Sequence, residues 1–119
     1  MNNNKDLEHA HQVTVVNKFK QDYTEEQGII FSIPNGDYRH QSIGVRLKAE
    51  GLLAGVPDLC ILKAGGAILF VEMKKLKGGT VSKEQKKIHP IMEKLGFKVI
   101  VCRGYEEAIK AIEAFMQDN

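Results

Sequence analysis

Residues 55–75 decide the fold, and they read GVPDLCILKAGGAILFVEMKK. Two apolar runs, residues 58–62 and 67–74, flank a Gly-Gly pair, which is the pattern of a β-hairpin. Residues 68–71 are apolar at every position, as expected for an interior strand that is buried on both faces. The pattern therefore predicts a hairpin at the centre of a sheet.

Charged side chains follow directly at the open end of this hairpin. Glu72 and Lys74 are two residues apart, so they project from the same face of their strand. If the loop comprises the three residues 64–66, Asp58 lies opposite Glu72, with Cβ atoms ~4.5–5.5 Å apart. A strict two-residue turn would instead place Asp58 opposite Met73, on the wrong face. A carboxylate pair thus requires the three-residue loop or a bulge near Asp58.

Two opposed carboxylates at the end of a buried hairpin repel each other unless a cation lies between them. Mg²⁺ or Mn²⁺ suits hard oxygen ligands, and the backbone carbonyl of Met73 would be a further ligand. Lys74 would orient an attacking water or neutralise charge in the transition state. The alternative is a surface hairpin with Glu72 and Lys74 as a solvated pair at its frayed end.

Helical and extended patterns alternate along the rest of the chain. They predict helices over residues 5–21, 41–49, 82–95 and about 105–116, and strands over residues 29–33 and 97–102. Pro90 predicts a kink or break near His89. The order helix, strand, probable helix, hairpin, helix, strand, helix predicts an α/β domain over residues 1–119, with a mixed β-sheet flanked by helices.

Two helices carry polar residues on their apolar faces. Glu8 and Gln12 continue the stripe of the first helix, and a carboxylate in that position needs a cation or hydrogen bonds. The alternative is an ordinary exposed carboxylate. Ser82 and Gln85 form a capping-box pattern, so Gln85 caps its helix, faces the site, or does both. The histidines His11 and His89 are interpreted as surface or capping residues.

Composition is that of an ordinary soluble domain, with 119 residues, 43% hydrophobic and 27% charged. No apolar run approaches the roughly 20 residues that span a bilayer, and the polar N-terminus lacks the core of a signal peptide. We therefore expect a cytoplasmic protein that does not interact with membranes. Cys60 and Cys102 lie in apolar runs and are interpreted as buried thiols rather than a disulfide or metal pair.

The net charge of +2 is less informative than where the charges lie. Two basic stretches, Arg39–Lys48 and Lys74–Lys87, flank the acidic end of the hairpin, so a polyanion partner and ordinary solvated surface both stay open. The absence of Trp argues against a stacking platform for single strands. The candidate DNA contacts are Asn35, Arg39, His40, Lys75, Lys77 and Lys83.

These motifs resemble a known nuclease family. GVPD at residues 55–58 and VEMK at residues 71–74 look like the PD…ExK signature of the restriction-endonuclease-like superfamily. With Glu8 in an N-terminal helix, the Pro-Asn-Gly turn at residues 34–36 and the helix that carries Gln85, the ordered set resembles the VRR-NUC family. The resemblance covers residues 8–102, and stand-alone members of that family are often phage-encoded.

The resemblance implies a restriction-endonuclease-like fold and metal-dependent hydrolysis of DNA phosphodiesters. Carried over by position, Asp58 and Glu72 hold Mg²⁺ or Mn²⁺ and Lys74 assists the attacking water. Gln85 and Glu8 match the family's helical Gln and N-terminal Glu, so both are candidate catalytic residues and Glu8 is a further candidate metal ligand. It also implies a homodimer that acts on branched or nicked circular DNA in a bacterial host cell, with replication or repair proteins as further expected partners.

Two other functions are compatible with this sequence. One is a DNA-binding module that keeps the fold without turnover, although intact acidic residues at the hairpin end argue against it. The other is a nucleotide- or phosphate-binding α/β protein. It is disfavoured because Gly78 and Gly79 precede Thr80 without the lysine of a P-loop.

Overall fold

A mixed β-sheet lies at the centre of the computed structural model, which describes residues 4–34 and 41–118. The elements are α1 Asn4–Asp22, β1 Gly28–Ser32, α2 Gln41–Ala49, β2 Leu59–Lys63, β3 Ile68–Lys74, α3 Lys83–Lys94, β4 Lys98–Arg103 and α4 Gly104–Gln117. The strand order is β1-β2-β3-β4, antiparallel as far as β3 and parallel between β3 and β4. This confirms the predicted α/β fold with a mixed sheet flanked by helices.

The central hairpin has the three-residue loop that the carboxylate pair requires. Leu59 pairs with Val71, and each following pair lies one residue closer to the loop on both strands, as far as Leu62 and Ile68. The Lys63 N–H closes that loop by donating to the Ala67 carbonyl at 2.9 Å. Gly65 and Gly66, at φ 96° and 99°, provide the positive φ angles that this loop needs. One pair beyond Leu59 and Val71, this register brings Asp58 opposite Glu72.

One face of the hairpin packs into the hydrophobic core against α1 and α4. Leu69, Val71 and Met73 alternate along β3 and are each fully buried. From the helices they are joined by Val15, Phe19, Ala108, Ile112 and Phe115. Because side chains alternate along a strand, Glu72 projects from the opposite face of the sheet, the side on which α3 crosses from β3 to β4. No helix within the described ranges is long and apolar enough to span a membrane.

Helix α3 is held at both ends. Ser82 and Gln85 form the predicted capping box at its start. At its end, the N–H groups of Gly96 and Phe97 donate to carbonyls of the last turn at 3.0 and 3.1 Å, with Gly96 at φ 100°. The helix runs unbroken through Pro90, so the expectation of a break near His89 is wrong. Proline removes one helical hydrogen bond, whereas the capping hydrogen bonds at both ends stabilise the helix.

Candidate active site

Asp58 and Glu72 meet at the carboxyl end of β3, as the hairpin register predicts. Asp58 is half-buried, and its Oδ2 accepts the Met73 backbone N–H at 2.8 Å. Glu72 is only 2% exposed. The hydrogen bond to Met73 fixes Asp58 against β3, so the two carboxylates are held side by side rather than left free to move apart.

The Glu72 carboxylate lies in an environment that disfavours its charge. Burial, and then the adjacent charge of Asp58, raise the pKa of Glu72 to about 8. The Lys74 ammonium, whose Nζ lies 3.5 Å from Glu72 Oε2, acts in the opposite direction, as does the Gln85 side chain. Glu72 Oε1 is buried and has no hydrogen-bond partner in the described part of the chain. This oxygen is available to a ligand.

Gln85 connects the start of α3 to this carboxylate. Its Oε1 accepts the Ser82 N–H at 2.9 Å, while the Ser82 Oγ accepts the Gln85 N–H at 3.2 Å. Gln85 is buried, and its amide side chain lies beside Glu72. Both alternatives for Gln85 therefore hold: it caps the helix and it faces the carboxylate pair.

The loop that leads into Asp58 packs tightly against the same end of α3. Gly55 has φ 96°, and a Cβ at this position would lie 2.5 Å from the Glu84 carbonyl oxygen. Any side chain would therefore push the loop away from the helix. The glycine of the GVPD motif thus brings Asp58 and Gln85 to the same place.

The two histidines behave differently from each other. His11 Nδ1 accepts the Tyr105 N–H at 2.9 Å at the start of α4, which confirms a capping role. His89 is 7% exposed, and burial lowers its pKa. The expectation that His89 is a surface or capping residue is therefore wrong. His89 lies one helical turn after Gln85, on the same buried face of α3. The sequence obscures this placement because Pro90 interrupts the apolar pattern of the helix.

The structure describes some of the remaining candidate residues but not others. Glu8 is half-buried on α1, but the described residues include no group of three acidic, His or Cys side chains placed to hold a metal ion. Glu8 as a third carboxylate ligand stays a prediction. Lys75 is half-buried directly after β3, and Lys77 and Lys83 are exposed on the following loop and at the start of α3. The candidates that lie outside the described residues are Asn35, Arg39 and His40.

Stability without metal is expected to depend on pH through Glu72. The folded protein holds the Glu72 proton up to a pKa of about 8, whereas the unfolded chain loses it near 4.5. Between these values the folded state binds more protons, so stability rises as pH falls, by up to about 1.4 kcal/mol per pH unit. This contribution is complete below pH 4.5 and is lost as pH rises through 8.

Urea unfolding in EDTA between pH 5.5 and 9 would measure this dependence, with Glu72→Gln as the control that lacks the titrating group. The wild type should lose stability relative to the variant as pH rises. A difference between the two proteins that is independent of pH would contradict the assigned environment of Glu72.

Comparison with known proteins places the chain in a family. The family model of the VRR-NUC domain matches residues 6–106. The chain belongs to the VRR-NUC domain family. It therefore carries a nuclease-type domain, and the opposed carboxylates with Lys74 lie within the part of the chain that the family model covers.

Solved structures of VRR-NUC domains share this fold. One described as "VRR_NUC domain protein" has a TM-score of 0.74 at 23% identity, over 92% of this chain and 87% of that chain. Another, described as "VRR_NUC domain", has a TM-score of 0.63 at 23% identity, over 91% of this chain and 96% of that chain. No curated protein matches the sequence. At these identities the structures establish the fold alone.

Proposed function

We propose that this VRR-NUC domain is a metal-dependent DNA endonuclease that hydrolyses phosphodiester bonds with Asp58, Glu72 and Lys74. The observation that carries the proposal is the pair formed by the buried Glu72 and the half-buried Asp58 at the end of β3, with the Lys74 ammonium 3.5 Å from Glu72. Burial next to Asp58 raises the pKa of Glu72 to about 8, and perturbed carboxylates of this kind cluster at functional sites.

The side chains present fit a divalent cation. Glu72 contributes a buried oxygen without a partner among the described residues, and Asp58 lies opposite it. Asp58, Glu72 and the Met73 backbone carbonyl would hold Mg²⁺ or Mn²⁺, with Glu8 as a further proposed ligand. When bound, such an ion would offset the negative charges of the two carboxylates and stabilise the negative charge that develops on the phosphate.

The other residues of the site position and assist the reacting groups. Lys74 is mostly buried beside Glu72, where it is suited to orient a water for attack or to neutralise charge in the transition state. Gln85, held by its hydrogen bond with Ser82, lies beside Glu72 and would help to orient that carboxylate. Rigid support of this kind keeps a catalytic group in its productive geometry.

DNA would approach along the basic residues beside this centre. We propose that Lys75, Lys77 and Lys83 bind phosphates that flank the scissile bond, and that Asn35, Arg39 and His40 are further DNA contacts. We propose branched or nicked circular DNA as the substrate of a homodimer. The setting would be phage or bacterial DNA processing in the cytoplasm, alongside replication or repair proteins.

Cleavage of supercoiled plasmid and of a branched DNA tests this proposal directly. Each substrate is incubated with Mn²⁺, Mg²⁺ or EDTA and with wild-type protein or Glu72→Ala. Metal-dependent cutting that the variant lacks supports the nuclease. Salt-sensitive binding without cutting by either protein would contradict it and favour a DNA-binding module without turnover.

The two roles of Gln85 are expected to separate in a pair of variants. Ser82→Ala removes the capping hydrogen bond alone and should lower stability by about 1 kcal/mol with cleavage retained. Gln85→Ala removes the cap and the contact with Glu72, so cleavage should fall by about tenfold or more as well. Urea unfolding and single-turnover cleavage measure both effects. Equal cleavage by the two variants would show that Gln85 is only a cap.

A further inference from the structure

Arg103 is the last residue of β4 and lies beside Lys74 in the parallel register of β3 and β4. Its Nη1 donates to the Lys75 carbonyl at 3.3 Å, and its Nη2 donates to the Gly79 carbonyl. One guanidinium therefore holds both ends of the segment 75–79, which follows the proposed catalytic lysine. We name this segment the basic loop.

A second set of contacts holds the basic loop in the same place. A Cβ on Gly79 would lie 3.5 Å from Arg103 Nη1 and 3.6 Å from the Lys74 Cβ. The end of the basic loop therefore packs against Lys74 and Arg103. Leu76 packs onto Gly104, where a Cβ would lie 2.5 Å from the Leu76 Cδ2. The exposed Lys77 lies between these fixed points.

We propose that Arg103 is a positioning residue for DNA: by closing the basic loop beside Lys74, it presents Lys75 and Lys77 to the phosphates that flank the scissile bond. The inference rests on the proposed function of the site. Without this clamp, a loop that contains Gly78 and Gly79 would have to be ordered each time DNA binds, at a loss of conformational entropy.

The fork shape of the guanidinium matters as much as its charge. Arginine presents several donors in a fixed plane and so reaches two carbonyls at once, whereas the lysine ammonium is a compact charge on a flexible stem. Arg103→Lys should therefore fail to replace arginine in the clamp. If Arg103 instead bound a phosphate as a simple cation, lysine would largely replace it.

The test compares Arg103→Ala and Arg103→Lys with Lys98→Ala, which removes an exposed charge from the opposite end of β4. Binding of a short fluorescein-labelled DNA duplex is measured in EDTA over a range of salt concentrations. Both Arg103 variants should raise Kd by about tenfold, the loss expected when two lysine-bearing residues must be ordered on binding. The salt dependence should keep the wild-type slope, and Lys98→Ala should bind as the wild type does.

Two results would overturn the proposal. One is recovery of affinity in Arg103→Lys, and the other is a log–log salt slope reduced by about one in Arg103→Ala, which is the mark of a lost phosphate contact. In cleavage assays of Arg103→Ala, KM should rise by a larger factor than kcat falls, because the clamp acts on DNA binding.

Backbone ¹⁵N relaxation measures the mobility of the basic loop independently of DNA binding and of cleavage. Order parameters of residues 76–79 should fall from about 0.85 to below about 0.6 in Arg103→Ala, and unchanged values would contradict the clamp. A wild type that binds DNA but never cuts it would contradict the proposed nuclease, while the loop and affinity measurements would still decide the role of Arg103.

Discussion

Glu72→Gln is expected to abolish DNA cleavage, with kcat lower by about 10³-fold or more, and also to stabilise the metal-free protein. Activity is lost because the amide cannot replace the carboxylate as a charged ligand for the cation. Stability rises because the buried carboxylate, opposite Asp58, is replaced by a neutral group of the same shape. Opposite effects on activity and stability are characteristic of a functional site held in an unfavourable environment.

The effect on stability should be largest at alkaline pH. Because the pKa of Glu72 is about 8, protonation at lower pH removes the buried charge from the wild type, whereas at pH 9 Glu72 is mostly ionised. Thermal melts in EDTA at pH 9 should show a rise of roughly 5 °C for the variant. Glu113→Gln, on the exposed surface of α4, is the matched control and should change neither property. A destabilised Glu72→Gln at pH 9 would contradict the account.

Asp58→Asn should follow the same pattern with a smaller effect on stability. Asparagine keeps an oxygen that can accept the Met73 N–H, so the local structure is retained while the repulsion with Glu72 is removed. Cleavage should be lost. Metal-free melting temperatures above those of the wild type at pH 9 are expected, and values at or below the wild type would count against the carboxylate repulsion.

Lys74→Ala is expected to lower the rate of cleavage by about 10²–10⁴-fold, the range for loss of a group that assists proton transfer or neutralises charge. Lys74 also lowers the pKa of Glu72, so its removal should make protons compete more strongly with metal at neutral pH. Mn²⁺ binding should therefore weaken near pH 7 and strengthen as the pH rises. Cleavage should stay low throughout this pH range.

The neighbouring lysine provides the control for this variant. Lys75→Ala removes the same charge one residue further along, on the basic loop rather than beside Glu72. It should raise KM with a loss of less than about tenfold in the single-turnover rate. If Lys75→Ala and Lys74→Ala lowered that rate equally, the charge of this segment would matter and the specific position of Lys74 would not.

The sequence predicted the central hairpin well because its signals are local. Continuous apolar runs and the Gly65-Gly66 pair mark both strands, and spacing alone places Glu72 and Lys74 on one face. Element boundaries differ by a residue or so, as at β1, which begins at Gly28 rather than Ile29. The residues alone left open whether the loop had two or three members. The hydrogen bond from Lys63 to Ala67 decides that question.

Features that depend on distant contacts were not predictable in the same way. His89 is buried on the face of α3 that carries Gln85, and its polar side chain gives no apolar signal of that burial. The helix also continues through Pro90, where a kink or break was expected. Arg103 reaches back 28 residues to the Lys75 carbonyl, so its role emerges only when β3 and β4 are paired.

Mn²⁺ binding with simultaneous measurement of proton release tests the central claim, that Asp58 and Glu72 form a divalent-cation site. The titration is done by calorimetry at pH 6.5 in buffers of different ionisation enthalpy. Because the pKa of Glu72 is about 8, binding should release about one proton per ion at pH 6.5 and almost none at pH 9. Glu72→Gln should bind much more weakly and release no proton. Equal binding by the variant, or no binding by the wild type at either pH, would contradict the account.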